Sequence, residues 1–250
     1  MRIFLALVAY LIPIIAPAHE VTVAVASNFT APMKVIAKAF ENDTGHKTKL
    51  AFGATGQLYA QIKNGAPFQV FLAADDKAPA QLVTGGLAVV DSPFTYASGR
   101  LVLWSKTPGL INETAEVLKR GDFNKLAIAN PKLAPYGAAA MEVIEKMGLT
   151  PLLLSKLVEG SNIGQTLQFV SSGNAQLGFV ALSQVFDNGR LKEGSGWIVP
   201  LGMHKPLQQN AVLLKAGLQN PAAEALMTYL RSNKALAIIQ SFGYDALAPQ

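Results

Sequence analysis

The chain has 250 residues, 50% of them apolar and only 15% charged, with a net charge of +5 and no cysteine. That composition describes a well-filled globular protein and excludes disulfides, thiolate metal sites, thiol nucleophiles and a lipidated N-terminal cysteine. The basic residues are scattered singly apart from Lys119-Arg120, so no nucleic-acid-binding stripe is expected, while mild basicity would steer anions toward the molecule.

The N-terminus carries Arg2, an apolar run over 3–15 and then Ala16-Pro17-Ala18, a small-residue pattern suited to signal peptidase. Residues 1–18 therefore read as a secretory signal peptide cut after Ala18, leaving a chain that begins His19-Glu20-Val21. The run is shorter than the ~20 apolar residues of a membrane-spanning helix and contains Pro13. Nothing downstream is long and apolar enough to span, so a soluble, exported, periplasmic protein is expected.

Short β-branched runs then alternate with helical patterns, the signature of βαβ units and largely parallel sheets. Residues 21–26 read as a buried strand. Met33, Val35, Ile36, Ala39 and Phe40 follow at helical spacing, with Pro32 tolerated in the first turn and Gly45 as the stop. The order repeats with a strand over 47–52, a turn at Gly53-Ala54-Thr55-Gly56 and a helix over 57–63. A third strand covers 68–73, and Asp75-Asp76 opens the next helix. Residues 94–104 look like two strands split by Ser98-Gly99 that carry the chain out of one domain. A second α/β set follows, with strands at 126–129 and 177–180 and helices at 138–147 and 165–170. A strand over 210–215 brings the chain back, and helices over 222–230 and 235–241 end it. The expected organisation is a discontinuous first lobe, 19–97 plus 211–250, around a continuous second lobe, 98–210, with ligand in the cleft.

In open parallel sheets ligands sit beyond the carboxyl ends of the strands. The turns there are Ser27-Asn28, Ala54-Thr55-Gly56, Ala134-Pro135-Tyr136-Gly137 and Ser161-Asn162-Ile163-Gly164, and none is charged. Each joins hydroxyls, amides or free backbone N–H groups to a helix N-terminus, which suits an anion without Lys or Arg. Taken one at a time the turns read better as ordinary N-caps. Only the set of four favours an anion site. A selective phosphate site wants an acidic acceptor, whereas a fully deprotonated dianion wants donors alone. The turns hold no Asp or Glu, and Asp75-Asp76 reads as a cap with a first-turn acid. Sulfate, molybdate or tungstate is favoured over phosphate.

Catalysis has less support. His19, His46 and His204 are far apart in sequence, without zinc-ligand spacing. His19, as a mature N-terminal residue, has an amine and a ring able to ligate copper, but a frayed terminus is the plainer reading. Ser27 lacks a Gly-x-Ser-x-Gly elbow or a Ser-x-x-Lys, so a periplasmic hydrolase using Ser27 is a weaker alternative. Tyr59, Phe40 and Trp104 read as packing residues, with Trp104 placed near the crossover where it would report closure.

Several stretches taken together resemble a known family. They are Ala24-Val25-Ala26-Ser27-Asn28-Phe29-Thr30, then Phe52-Gly53-Ala54-Thr55-Gly56-Gln57-Leu58-Tyr59-Ala60-Gln61-Ile62, then Gly65-Ala66-Pro67-Phe68 with Phe71-Leu72-Ala73-Ala74-Asp75. Ala129-Asn130-Pro131-Lys132-Leu133-Ala134-Pro135-Tyr136-Gly137, Leu177-Gly178-Phe179-Val180 and Phe242-Gly243-Tyr244 complete the set. The chain resembles the periplasmic molybdate-binding proteins of ABC-type importers, relatives of the sulfate binders. The resemblance implies an α/β, type II periplasmic-binding-protein fold, two lobes joined by two crossover strands and closing on an oxyanion. It implies molybdate, and tungstate with it, as ligand, a sulfate-type binder as the alternative, and no catalysis. It implies no cofactor and no direct protein ligand to the metal of the oxyanion. The implied partner is an inner-membrane permease, with no nucleic acid, and the protein is expected to act as a monomer. Carried over position by position, the ligand groups fall on Ser27 with Asn28 beside it, on Thr55, and on the backbone donors of Tyr136 and Ile163. Where some relatives hold the anion with a Tyr after the Leu-Gly-x-Val strand, this chain has Ala181, and Tyr136 is expected to supply a phenol from another direction.

Overall fold

The computed structural model describes residues 18–245, so the expected signal segment, Ala18 apart, lies outside the described residues. In chain order the first elements are β1 (Glu20–Ala26), a 3₁₀ turn (Ser27–Phe29), α1 (Thr30–Thr44), β2 (Lys47–Gly53), α2 (Thr55–Lys63), β3 (Val70–Ala73), α3 (Lys77–Thr84) and β4 (Phe94–Gly99). Then come β5 (Leu101–Ser105), α4 (Glu116–Arg120), β6 (Leu126–Ala129), α5 (Pro135–Lys146), α6 (Thr150–Leu153), β7 (Leu157–Gly160), α7 (Ile163–Ser171) and β8 (Leu177–Ala181). The rest are α8 (Leu182–Val185), β9 (Phe186–Asp187), β10 (Arg190–Leu191), β11 (Ser195–Ile198), β12 (Leu207–Leu213), α9 (Pro221–Tyr229) and α10 (Asn233–Ser241). No helix among them is long and apolar enough to cross a membrane.

The strands form two five-stranded sheets, ordered β2-β1-β3-β12-β4 and β11-β5-β8-β6-β7. Each carries helices on both faces, which is why the central strands are apolar throughout. In β1, Val21, Val23 and Val25 pack with Met33, Ile36 and Phe40 of α1 and Leu226 of α9. Ala24 faces the other way, onto Leu58 and Ile62 of α2 and Leu82 of α3. The same period of two divides β5 into Leu101 and Leu103 on the α5 face and Val102 and Trp104 on the α7 face. Helix α1 ends at Gly45 with φ of 75°, as a left-handed C-cap glycine should. Val35 lies off its apolar stripe and is 45% exposed.

The fold is that of the type II periplasmic-binding proteins: two α/β lobes, with the chain crossing between them twice. It leaves the first sheet at Gly99, enters the second at Leu101, and returns between Ile198 and Leu207. Ser98-Gly99 does not split the two strands, because Gly99 and Ser98 pair with Leu207 and Gln208 inside the first sheet and the break falls at Arg100. Trp104 is sealed within the second lobe, its Nε1 donating to the Glu193 carbonyl at 3.0 Å, so it is not placed to sense closure. Helices α2, α5 and α7 begin two or three residues before the expected starts, which turns Thr55, Tyr136 and Ile163 from loop residues into first-turn residues.

Candidate functional site

Four strand ends, those of β1, β2, β6 and β7, lead through short connections into helical turns, and these meet between the lobes around one small cavity. Ser27, Asn28, Thr55, Tyr136 and Ile163 all line it. It leaves about 10 Å³ for the centre of a water-sized sphere. With the ~1.4 Å probe radius restored, that volume corresponds to a body of roughly 2.7 Å radius. Such a space takes one small polyatomic ion and excludes a sugar or an amino acid.

The hydroxyls here are not helix caps. Thr55 is the first residue of α2, yet its Oγ1 accepts a hydrogen bond from the Ala74 amide at 3.0 Å, across to the loop after β3. With one lone pair engaged there, the hydroxyl still has its proton to donate. Ser27 is buried, and its Oγ makes no hydrogen bond among the described residues. The N-caps of α2 and α5 are Ala54 and Ala134, which offer no side-chain acceptor. The Thr55 and Tyr136 N–H groups therefore keep the unpaired polarity of a helix N-terminus, while the Gly56 amide bonds the Leu133 carbonyl and Pro135 has no N–H. In α7 the cap is real: Asn162 Oδ1 accepts from the Gly164 and Gln165 amides at 2.9 and 3.1 Å. That leaves the Ile163 N–H as the free donor of this turn. Gly137 lets α5 start hard against the end of β6, since a Cβ there would run into the Ala129 carbonyl.

Asn28 and Tyr136 face a second, wholly buried polar cluster behind the cavity. Asn28 Nδ2 donates to Gln209 Oε1 at 2.7 Å and to the Tyr244 hydroxyl at 2.8 Å. The Asn28 carbonyl accepts from Ser183 Oγ at 2.8 Å and from the Tyr244 hydroxyl at 3.1 Å. The Asn28 side chain is thus committed to the fold, and its backbone is what remains for the cavity. The Tyr136 hydroxyl packs against Gly99 at the crossover, where a Cβ would have no room. It lies near Tyr244 and Asn28 but makes a hydrogen bond of good geometry to neither. Burial pushes the Tyr136 phenol well above its ordinary pKa, and that of Tyr244 up to about 12. Ser183, Gln209 and Tyr244 had not been picked out from the sequence as site residues, because their partners lie 155, 181 and 216 positions away.

Among the described residues, no charged side chain lines the cavity. Asp75 borders a wider neighbouring cleft of about 800 Å³, open between the lobes, together with Lys77, Lys132, Glu142 and Lys205. Its carboxylate caps α3, accepting from the Ala78 amide at 2.8 Å. Desolvation raises its pKa, offset in part by that hydrogen bond. Ala181 ends β8 fully buried, with its N–H bonded to Gln184 Oε1 at 3.0 Å, and does not border the cavity. Ser27 has no His, Lys, Asp or Glu beside it to act as a base, so the arrangement has donors for an anion and no machinery for nucleophilic attack.

The family model for bacterial extracellular solute-binding proteins matches residues 21–245. The molybdate-binding protein ModA of Azotobacter vinelandii is 56% identical over 243 residues, covering 97% of this chain and 96% of that protein. ModA of Rhodobacter capsulatus is 49% identical over 229 residues, covering 92% and 89%. The solved structure of the Azotobacter vinelandii periplasmic molybdate-binding protein superposes with a TM-score of 0.88 at 39% identity, covering 92% of this chain and all of that one. The chain belongs to the bacterial extracellular solute-binding proteins, in the family of the molybdate-binding ModA proteins.

Proposed function

We propose that this protein captures molybdate, and tungstate with it, in the periplasm and delivers it to an ABC-type importer in the inner membrane. It binds and releases its ligand unchanged and is not an enzyme. Removal of the leader after Ala18 would yield the mature chain, which acts as a monomer. Its lobes would be 19–97 plus 211–250, and 98–210. The observation that carries the reading is the uncharged, ion-sized cavity in which Thr55 Oγ1, already accepting from Ala74, keeps its proton to donate inward. Ser27 and Thr55 donate from the first lobe, with the Asn28 backbone beside them. The backbone amides of Tyr136 and Ile163 donate from the second. The Tyr136 hydroxyl is assigned to the crossover and not to the ligand.

Hydrogen bonds to charged groups are worth ~1.5–3 kcal/mol each, so about half a dozen give sub-micromolar affinity after the costs of association and closure. A site of donors alone favours a fully deprotonated dianion over phosphate. Between dianions, size decides, and the ModA relatives support molybdate over sulfate. A thermal-shift panel tests this directly. Molybdate and tungstate should raise the melting temperature at micromolar concentration, sulfate only at far higher concentration and phosphate not at all. Equal shifts with sulfate and molybdate would instead make this a general dianion binder.

A further inference from the structure

At the end of the first sheet remote from the cavity, β1 and β2 each begin one residue after a histidine. The strands pair in parallel from Glu20 with Lys47, and this register sets His19 beside His46. The Lys47 amide donates to the His19 carbonyl at 2.8 Å and fixes the approach. The His19 backbone nitrogen stands 3.2 Å from His46 Nδ1. The two ring centroids are 5.9 Å apart, with their planes tilted by 54°. Phe40 backs the His46 ring at 6.1 Å, and both histidines are half-buried.

These distances are those of ligands around one metal ion. Two nitrogens bound at ~2.0–2.1 Å and near a right angle stand ~3 Å apart, and two imidazoles on one ion put their centroids roughly 6 Å apart. No three His, Cys, Asp or Glu side chains gather to hold a metal among the described residues. The third ligand has to come from the backbone. While a residue precedes His19, its nitrogen is an amide that donates its hydrogen to His46 and, in that state, has no lone pair to offer a metal. Cleavage after Ala18, on which this inference rests, turns the same nitrogen into a primary amine with a lone pair. That amine and its own imidazole close a chelate ring, and His46 Nδ1 already stands beside the amine to complete the set.

We propose that the mature chain binds one Cu(II) ion through the His19 amine, the His19 imidazole and the His46 imidazole. Three nitrogens without thiolate or carboxylate suit Cu(II) best among the divalent first-row ions, both in affinity and in tetragonal geometry. The β1–β2 ladder holds the ligands in place before the metal arrives, which lowers the cost of binding. The seven residues of β1 separate this site from Ser27. At ~3.3 Å per residue that is roughly 23 Å, too far for the ion to touch the anion cavity.

The test uses protein secreted with its own leader, its N-terminus read by mass spectrometry, and titrated with copper(II) chloride against a competing chelator. Paramagnetic resonance reports the bound nitrogens. The expected result is one Cu(II) per chain with a three-nitrogen signature. His46→Ala should bind at least tenfold more weakly with two nitrogens, and His19→Ala should lose the site. Molybdate affinity should be unchanged in both, which shows that they fold. Copper affinity equal in His46→Ala and wild type, or no stoichiometric copper on a chain that begins at His19, overturns the proposal. So does a secreted chain that begins at any other residue, without touching the oxyanion reading.

Discussion

The Gly56 amide of the first lobe donates a 2.9 Å hydrogen bond to the Leu133 carbonyl of the second, directly beside the cavity. A Cβ on Gly56 would stand 3.1 Å from that oxygen and 3.2 Å from the Leu133 Cα. A side chain at residue 56 would therefore press on Leu133 and hold the lobes slightly apart. Gly56→Ala should weaken molybdate binding roughly threefold to tenfold, ~0.7–1.4 kcal/mol. The same change sits in the first turn of α2, where Ala is the better helix former by up to about 1 kcal/mol. The ligand-free protein should melt no lower than wild type, and calorimetry with melting of the free form separates the two effects. Loss of stability in the free form would mean that the glycine serves the fold and not closure.

Thr55 and Ser27 are predicted to contribute through their hydroxyls. Thr55→Ala and Ser27→Ala should each weaken molybdate binding by about tenfold or more, at ~1.4 kcal/mol per decade. Thr55→Ala also strands the Ala74 amide, so it should lower stability as well, whereas Thr55→Ser should restore both. Unchanged calorimetric affinity in both alanine variants would remove these side chains from the site.

Ser183 and Tyr244 act from behind the cavity. Ser183, in α8 of the second lobe, donates to the carbonyl of Asn28 in the first, a bond of 2.8 Å between residues that closure brings together. Ser183→Ala should cost the closed form ~0.5–1.5 kcal/mol, a twofold to tenfold weaker affinity. Since neither Ser183 nor Tyr244 is assigned to the anion, the order of preference among oxyanions should stay as in wild type. Tyr244→Phe should act in the same direction through the Asn28 amide, which keeps its bond to Gln209. A dissociation rate that rises in step with the loss of affinity would place the effect on opening. A changed ranking of molybdate over sulfate would instead put these groups in contact with the ligand.

What could be read from the sequence followed distance along the chain. Val21, Val23 and Val25, with Met33, Ile36 and Phe40 behind them, announce β1 and α1 because strand and helix periods are local properties. The four turns were legible for the same reason, since each is a short uncharged segment at a strand end. Strand β7 was missed because Leu-Val-Glu-Gly is too short and too exposed to look buried, and β11 because Ser-Gly-Trp-Ile has no alternation. Gly99 read as a turn because glycine usually is one, but its task is to make room for the Tyr136 hydroxyl. The tail Phe242-Gly243-Tyr244 carried a likeness without a role. Nothing near Tyr244 in sequence reveals that its hydroxyl meets Asn28.

Asp75 gives the last prediction, and its sign follows from burial. Desolvation raises its pKa in the folded protein above the unfolded value. Folding therefore favours the protonated form. Its contribution is favourable below the ordinary carboxylate pKa, is lost as pH rises through the folded value, and leaves an ionised, partly desolvated carboxylate at neutral pH. Asp75→Asn keeps an oxygen for the Ala78 amide and removes that charge. The variant should melt higher than wild type at neutral pH, by ~1–3 °C, and the advantage should shrink as the pH falls toward about 4. Melting curves across that range check it, and an advantage independent of pH would rule out ionisation as the cause. Molybdate affinity should stay flat from about pH 6 to 9, since no side chain lining the cavity titrates there. The same substitution should speed anion entry, because Asp75 borders the wide cleft next to Thr55 and like charges repel at the mouth. A stopped-flow association rate that does not rise in Asp75→Asn at low salt would show that the anion enters by another face.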